Sequence, residues 1–348
     1  MRASRARLLG SGHALLIVAI VATQLAVRAD DALLAPLHVD GRNLVNPAGD
    51  AVTLKGCNLG GWLLIEPWII AVRDPQIRDN YDFVATLEDR FGKDRAEALM
   101  DIYRANWITA REFKLIRSFG FNVVRVPFYH TLLADEARPF ELRADAFEWL
   151  DRAVELAEQA GIYVILDMHG APGGQSVDMP SGRVDENNLW TDETAQRRLA
   201  WLWQRIAERY RDRAAVVGYD LINEPWGDFR VDVREPLLKI VQRVYTCIRE
   251  VDPDTLIIAP GTLRGITFYG SPHERGWRNV GYTEHFYPGL FGNGAPSLET
   301  HAKFLNLTVP ARARLIEQYD TPYLLGEFNV VHDSAGEPLM MRRYYDAF

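Results

Sequence analysis

Val216-Val217-Gly218-Tyr219-Asp220-Leu221-Ile222-Asn223-Glu224-Pro225 is the stretch on which the fold turns. It opens as an apolar run, as a strand buried on both faces must, and it ends in Asn-Glu-Pro, where a strand gives way to a loop. Tyr323-Leu324-Leu325-Gly326-Glu327-Phe328 repeats the design about a hundred residues later, again with a glutamate at the strand end. Two buried strands of this kind imply a parallel sheet whose carboxylates lie at one edge.

Working outward, strand-like and helix-like runs alternate. Strands are expected at Thr53–Asn58, Phe121–Val126, Tyr163–Asp167, Val216–Ile222, Leu256–Ala259, Val280–His285 and Tyr323–Gly326. Helices are expected near Ala110–Arg117, Ala144–Ala160, Glu193–Tyr210, Glu235–Glu250 and Leu298–Tyr319. The second of these sets Phe147, Leu150, Val154 and Ala157 on one face, and Gly161 stops it. Leu37–Leu54 reads as a hairpin turning at Asn46–Asp50, and an irregular segment of about fifty residues follows the first parallel strand. The alternation makes the fold α/β with a parallel sheet, either an open doubly wound sheet or, as the motifs below favour, a (β/α)8 TIM barrel. Seven strands are countable, so the eighth is expected to be missing from this chain, leaving unpaired edges on the first and seventh.

The chain has 348 residues, 48% of them hydrophobic and 25% charged, enough for one large core. A net charge of -8 with no basic stripe argues against nucleic acid as a partner. Arg2, Arg5 and Arg7, the apolar run Ala14–Val27 and the small residue Ala29 read as a signal peptide over 1–29, with the barrel over 30–348 and a secreted or periplasmic protein. An uncleaved anchor is the alternative; otherwise no membrane partner is expected, and the protein should be a monomer. Cys57 and Cys247 are the two cysteines, and two in so large a domain are more often separate thiols.

The polar residues cluster where strands end. Arg125 lies on the second parallel strand, His169 follows the third, Asn223 and Glu224 end the fourth, His285 and Tyr287 the sixth, and Glu327 the seventh. In a parallel barrel these ends converge on one face. Two carboxyl groups there suit acid-assisted displacement at a sugar's anomeric carbon, provided one stays protonated and the other ionised. Arg125 is placed to hold the ionised one, and Asn223 to donate to a sugar hydroxyl. Histidines are also metal ligands, yet the first strand offers Asn58-Leu59-Gly60-Gly61 and no paired histidines, so neither metal nor cofactor is expected. Of Trp62, Trp68, Trp190 and Trp226, half are expected to serve as sugar platforms and half to pack.

Asn223-Glu224-Pro225 and Gly326-Glu327-Phe328 resemble glycoside hydrolase family 5, the cellulase-type retaining glycosidases. Lys55-Gly56-Cys57-Asn58-Leu59-Gly60-Gly61-Trp62-Leu63-Leu64-Ile65-Glu66-Pro67-Trp68-Ile69 resembles that family's exo-β-1,3-glucanase branch, as do Asn122–Pro127 and Asp167-Met168-His169-Gly170-Ala171-Pro172-Gly173-Gly174-Gln175. The resemblance implies Glu224 as acid/base, Glu327 as nucleophile, Arg125 and Tyr287 as partners of Glu327, and Asn223 on the 2-hydroxyl. It implies His169 and His285 around the reactive sugar and Glu66 on the terminal glucose. A β-glucan or β-glucoside is then the expected substrate, with an endo-β-1,4-glucanase, a β-1,6-glucanase, a glucosylceramidase or a non-catalytic carbohydrate-binding barrel as the alternatives.

Overall fold

The computed structural model describes residues 34–330 and 336–347. The signal reading over 1–29 lies outside the described residues. Among the described residues no helix is long and apolar enough to cross a membrane.

An antiparallel hairpin, β1 (His38–Asp40) and β2 (Asn43–Val45), precedes seven parallel strands: β3 (Gly56–Asn58), β4 (Val123–Tyr129), β5 (Tyr163–Gly170), β6 (Val216–Asp220), β7 (Leu256–Pro260), β8 (Val280–Phe286) and β9 (Tyr323–Phe328). The seven pair in chain order, each parallel to the next, and curl into a nearly closed barrel of the (β/α)8 type. Every residue of β4, β5, β6 and β7 is buried, which is why these runs read as continuously apolar. At the seam, Asn58 Nδ2 donates to Gly326 O at 3.2 Å, and Tyr345 OH from the last helix donates to Gly56 O at 3.0 Å.

The hairpin closes the other end of the barrel. Leu37, Val39 and Leu44, with Val52 and Leu54, pack on Val123, Tyr163, Ile165, Val217, Leu256 and Ile258, the inward residues near the strand starts. The expected turn at Asn46–Asp50 is present, with Val45 and Ala51 bridged antiparallel across it, and a further turn precedes it. β1 and β2 turn at Gly41, whose φ is +56°, while Asn46–Asp50 forms a second turn in which Asn46 Oδ1 accepts from the Ala48 and Asp50 amides.

The segment expected to be irregular holds two helices, α1 (Asn80–Phe91) and α2 (Lys93–Trp107), separated by Gly92 at φ +79°. Asp79 caps the first by accepting from the Asp82 amide. Among their buried residues only Ala96 and Met100 are apolar, so no hydrophobic stripe marks them in the sequence. The remaining helices are α3 (Ala110–Ser118), α4 (Glu148–Ala160), α5 (Glu193–Tyr210), α6 (Arg234–Arg249), α7 (Leu298–Lys303), α8 (Val309–Tyr319) and α9 (Glu337–Ala347). The span expected as one helix, Leu298–Tyr319, is helical throughout, as α7 and α8 joined by a π turn over Phe304–Thr308, with Pro310 in the first turn of α8. Cys57 and Cys247 are separate free thiols.

Candidate active site

Arg125 is the third residue of β4, in register with Asn58 on β3 and Ile165 on β5, and only 4% exposed. A guanidinium so deep in a barrel needs charge partners, and it has them on three other strands. Its Nε is 2.8 Å from Asp220 Oδ2, its Nη1 is 3.1 Å from Asp167 Oδ2 and 2.9 Å from Glu327 Oε1, and its Nη2 donates to Asn223 Oδ1 at 2.9 Å. One side chain thus ties the ends of β5, β6 and β9 to β4.

Asp167 and Asp220 were not singled out from the sequence. The available signal was a carboxylate inside an otherwise apolar strand, in Tyr163-Val164-Ile165-Leu166-Asp167 and Val216-Val217-Gly218-Tyr219-Asp220. A carboxylate is buried there only with a counter-ion.

His169 lies two residues beyond Asp167 on the same strand face, and its Nδ1 is 2.6 Å from Asp167 Oδ2. Burial disfavours the imidazolium, but the Asp167 charge outweighs burial and pulls the ring up to about 9. Hydrogen-bond directions favour the neutral ring. Asn223 Oδ1 accepts from Arg125, so its Nδ2 faces His169 Nε2 at 3.2 Å and requires a lone pair there. The arrangement is therefore that of neutral His169 donating from Nδ1, and a second proton requires Asn223 to turn and break its bond to Arg125.

The two glutamates face each other across this network. His285 Nδ1 is 3.0 Å from Glu224 Oε1 and 3.6 Å from Glu327 Oε2, and Tyr287 OH donates to Glu327 Oε2 at 2.6 Å. Glu224, Glu327 and His285 each place a donor atom within 4.8 Å of the others. A cation would fit that spacing geometrically, but His285 Nδ1 is already engaged with Glu224. Their environments push the carboxyls apart. Burial raises Glu224; the hydrogen bond with His285 offsets part of this, and the Glu327 charge adds to it. Burial would raise Glu327 too, but His285 and Arg125 outweigh it, and Tyr287 adds a hydrogen bond, so it falls to about 2.

These groups line a cleft of about 1870 Å³ at the strand C-termini. Glu66 lines it from the loop after β3, and its Oε1 accepts from Trp68 Nε1 at 3.4 Å. Burial raises the Glu66 carboxyl, and the bond from Trp68 offsets part of this. Trp68, 67% exposed, and Trp226 line the cleft, whereas Trp62 is core and Trp190 donates to Asn187 Oδ1 at 2.8 Å. Phe229 and Phe291 stand at its edge with φ of +64° and +51°, positions unusual for bulky residues. Seven of the eight site residues expected from the sequence therefore line one cleft, and the eighth, Asn223, is buried and bonded to Arg125 and His169.

A parallel barrel with two carboxylates facing each other at its strand C-termini defines a glycoside hydrolase. Residues 94–346 match the cellulase family, glycosyl hydrolase family 5, and the chain belongs to that family. It is 31% identical over 262 residues to a β-xylosidase of Phanerodontia chrysosporium, covering 74% of this chain and 53% of that protein. It is 30% identical over 320 residues to a probable glucan 1,3-β-glucosidase A of Aspergillus clavatus, covering 89% of this chain and 72% of that protein. The chain thus spans about half the length of the first relative. Among solved structures, the fold is similar to that of a rutinosidase from Aspergillus niger, with a TM-score of 0.67 at 17% identity over 89% of this chain and 87% of that one. It is also similar to an endoglucanase from Thermotoga maritima, with a TM-score of 0.54 at 18% identity over 70% of this chain and 78% of that one.

Proposed function

We propose that this chain is a retaining β-glucoside hydrolase that removes glucose from the ends of β-1,3-glucan, with Glu327 as nucleophile and Glu224 as acid/base. The observation that carries the reading is the pair of carboxyls with opposite proton affinity and oxygens within 4.8 Å of each other. Retaining hydrolases hold the two groups at roughly 5 Å, whereas inverting ones leave space for a water between them.

In the first step a Glu327 oxygen attacks the anomeric carbon, the bond to the leaving oxygen breaks, and the Glu224 proton passes to that oxygen. In the second, Glu224 takes a proton from water as the water oxygen displaces Glu327 from the same carbon. Arg125 and Tyr287 keep Glu327 ionised between turnovers. Asn223, with its oxygen tied to Arg125, has its amide hydrogens free to exchange His169 for the 2-hydroxyl of the sugar.

The name of the Aspergillus relative and the resemblance of the Lys55–Ile69 segment support the linkage, and Glu66 is the group proposed to hold the terminal glucose. The same proposal places the protein outside the cytoplasm, following the signal reading of 1–29, as a monomer.

Incubation with laminarin, carboxymethylcellulose, p-nitrophenyl β-glucoside and p-nitrophenyl β-xyloside tests the reading. Glucose from laminarin, appearing first as the β anomer, is the expected result. Oligosaccharides from the cellulose derivative would move the linkage, and α-glucose as first product would overturn the mechanism.

A further inference from the structure

The geometry points to Gln175 as a positioning residue for the acid/base carboxyl, an inference that rests on the role proposed for Glu224. Gln175 is fully buried, and its side-chain amide is saturated by backbone. Its Oε1 accepts from the Ala171 amide at 3.0 Å, and its Nε2 donates to His169 O at 2.7 Å and to Asn223 O at 2.8 Å. The last bond matters most. The carbonyl of Asn223 belongs to the peptide plane that joins Asn223 to Glu224, so Gln175 fixes the orientation of that plane and with it φ of Glu224.

That torsion is +43°, in the left-handed region that a glutamate seldom adopts. A residue in such a conformation stays there only where its surroundings over-determine it. Gln175 does so from two sides, because its own carbonyl also accepts from the Gly227 amide at 3.0 Å, three residues past Glu224. The loop that delivers Gln175 is built for a tight return. Gly173 and Gly174 have φ of +78° and +70°, and a Cβ on Gly174 would stand 2.3 Å from Glu186 O. The Gly-Gly step thus lets the chain fold back beneath His169, so that one amide joins the ends of β5 and β6.

If the pinned torsion aims the Glu224 carboxyl at the leaving oxygen, loosening it harms substrates in proportion to their need for a proton. Gln175→Glu keeps the acceptor for Ala171 but replaces both donated bonds with a carboxylate facing two carbonyls; Gln175→Met removes all three. The experiment is kcat/KM for dinitrophenyl β-glucoside, which leaves without protonation, against an alkyl β-glucoside, which does not. The expected result is a loss of about a hundredfold on the alkyl glucoside and less than a tenth of that on the dinitrophenyl one. Equal losses on both, or none on either, would overturn the inference, since a role in holding the barrel together does not distinguish leaving groups. If both variants fail to fold, the wild-type amide decides. Slow exchange of the Gln175 side-chain protons, with scalar coupling to the His169 and Asn223 carbonyls, supports the pin, and rapid exchange overturns it. A wild-type protein inactive on every glucoside would defeat the proposed function, while the amide measurement would still decide whether Gln175 holds the turn.

Discussion

The ends of β6 and β9 each deliver one glutamate to the same cleft, and they are built in different ways. At β9 Glu327 lies within the strand, in register with His285 on β8 just past a one-residue slip at Gly326, and the carboxylate is controlled by charge: Arg125 on one oxygen, Tyr287 and His285 on the other. At β6 the strand stops at Asp220, and Glu224 sits four residues further on, in a turn pinned by Gln175. Burial dominates there, and the carboxyl is raised. Two identical side chains thus acquire opposite proton affinities, one from counter-ions and one from desolvation. The comparison also separates two costs, since the carboxyl that is lowered is held by a network and the one that is raised by a strained turn.

The largest test of this difference is removal of each carboxylate in turn. Glu327→Gln deletes the group that forms the covalent bond, so its loss should be on the order of 10⁴–10⁶ in kcat and should not depend on the leaving group. Glu224→Gln deletes a proton donor, with an expected loss of about 10²–10⁴ on alkyl glucosides and a much smaller one for cleavage of the dinitrophenyl bond. A set of aryl and alkyl glucosides measured with both variants checks this. The same leaving-group dependence in the two variants would erase the distinction between the strand ends, and the opposite pattern would exchange their roles.

A smaller effect, read in stability, separates the network from the turn. Arg125→Met leaves Asp167, Asp220 and Glu327 buried around a neutral side chain, and should cost about 3–5 kcal/mol in urea unfolding. Glu224→Gln replaces a carboxyl whose charged form burial disfavours, so its unfolding midpoint should equal or exceed that of wild type. A neutral Arg125→Met would show that the three carboxylates are not balanced by this guanidinium.

The same division explains what could be read from the sequence. Arg125, His169, Asn223, Glu224, His285, Tyr287 and Glu327 were legible because strand ends meet on one face of a parallel barrel, whatever their separation along the chain. Glu66 was legible only through resemblance, since it stands on an irregular loop where no periodicity applies. Asp167 and Asp220 were in plain view but read as parts of strands; their work depends on Arg125 three-dimensionally, and no spacing rule links positions 125, 167 and 220. Gln175 escaped because a buried amide bonding to backbone leaves no charge or pattern in a sequence. α1 and α2 escaped for a related reason, as helices that bury almost no apolar residue look like loop.

The smallest predicted effect is the pH dependence of stability. Glu327 is held below its unfolded value, so it stabilises the fold at pH above the ordinary 4.5, and that contribution fades as pH falls from 4.5 through about 2. One such group supplies at most about 3 kcal/mol over that window. Glu224 has the opposite sign: raised in the fold, its ionisation weakens the fold as pH climbs through its folded value, and below the unfolded 4.5 this penalty is absent. Urea unfolding of wild type, Glu327→Gln and Glu224→Gln at steps between pH 2 and pH 7 resolves the two contributions. Glu327→Gln should flatten the acid side of the profile, and Glu224→Gln should flatten its fall as pH climbs above 4.5. Superimposable profiles for wild type and Glu327→Gln would mean that Arg125, His285 and Tyr287 do not hold this carboxylate ionised, and the contrast between the two strand ends would lose its electrostatic basis.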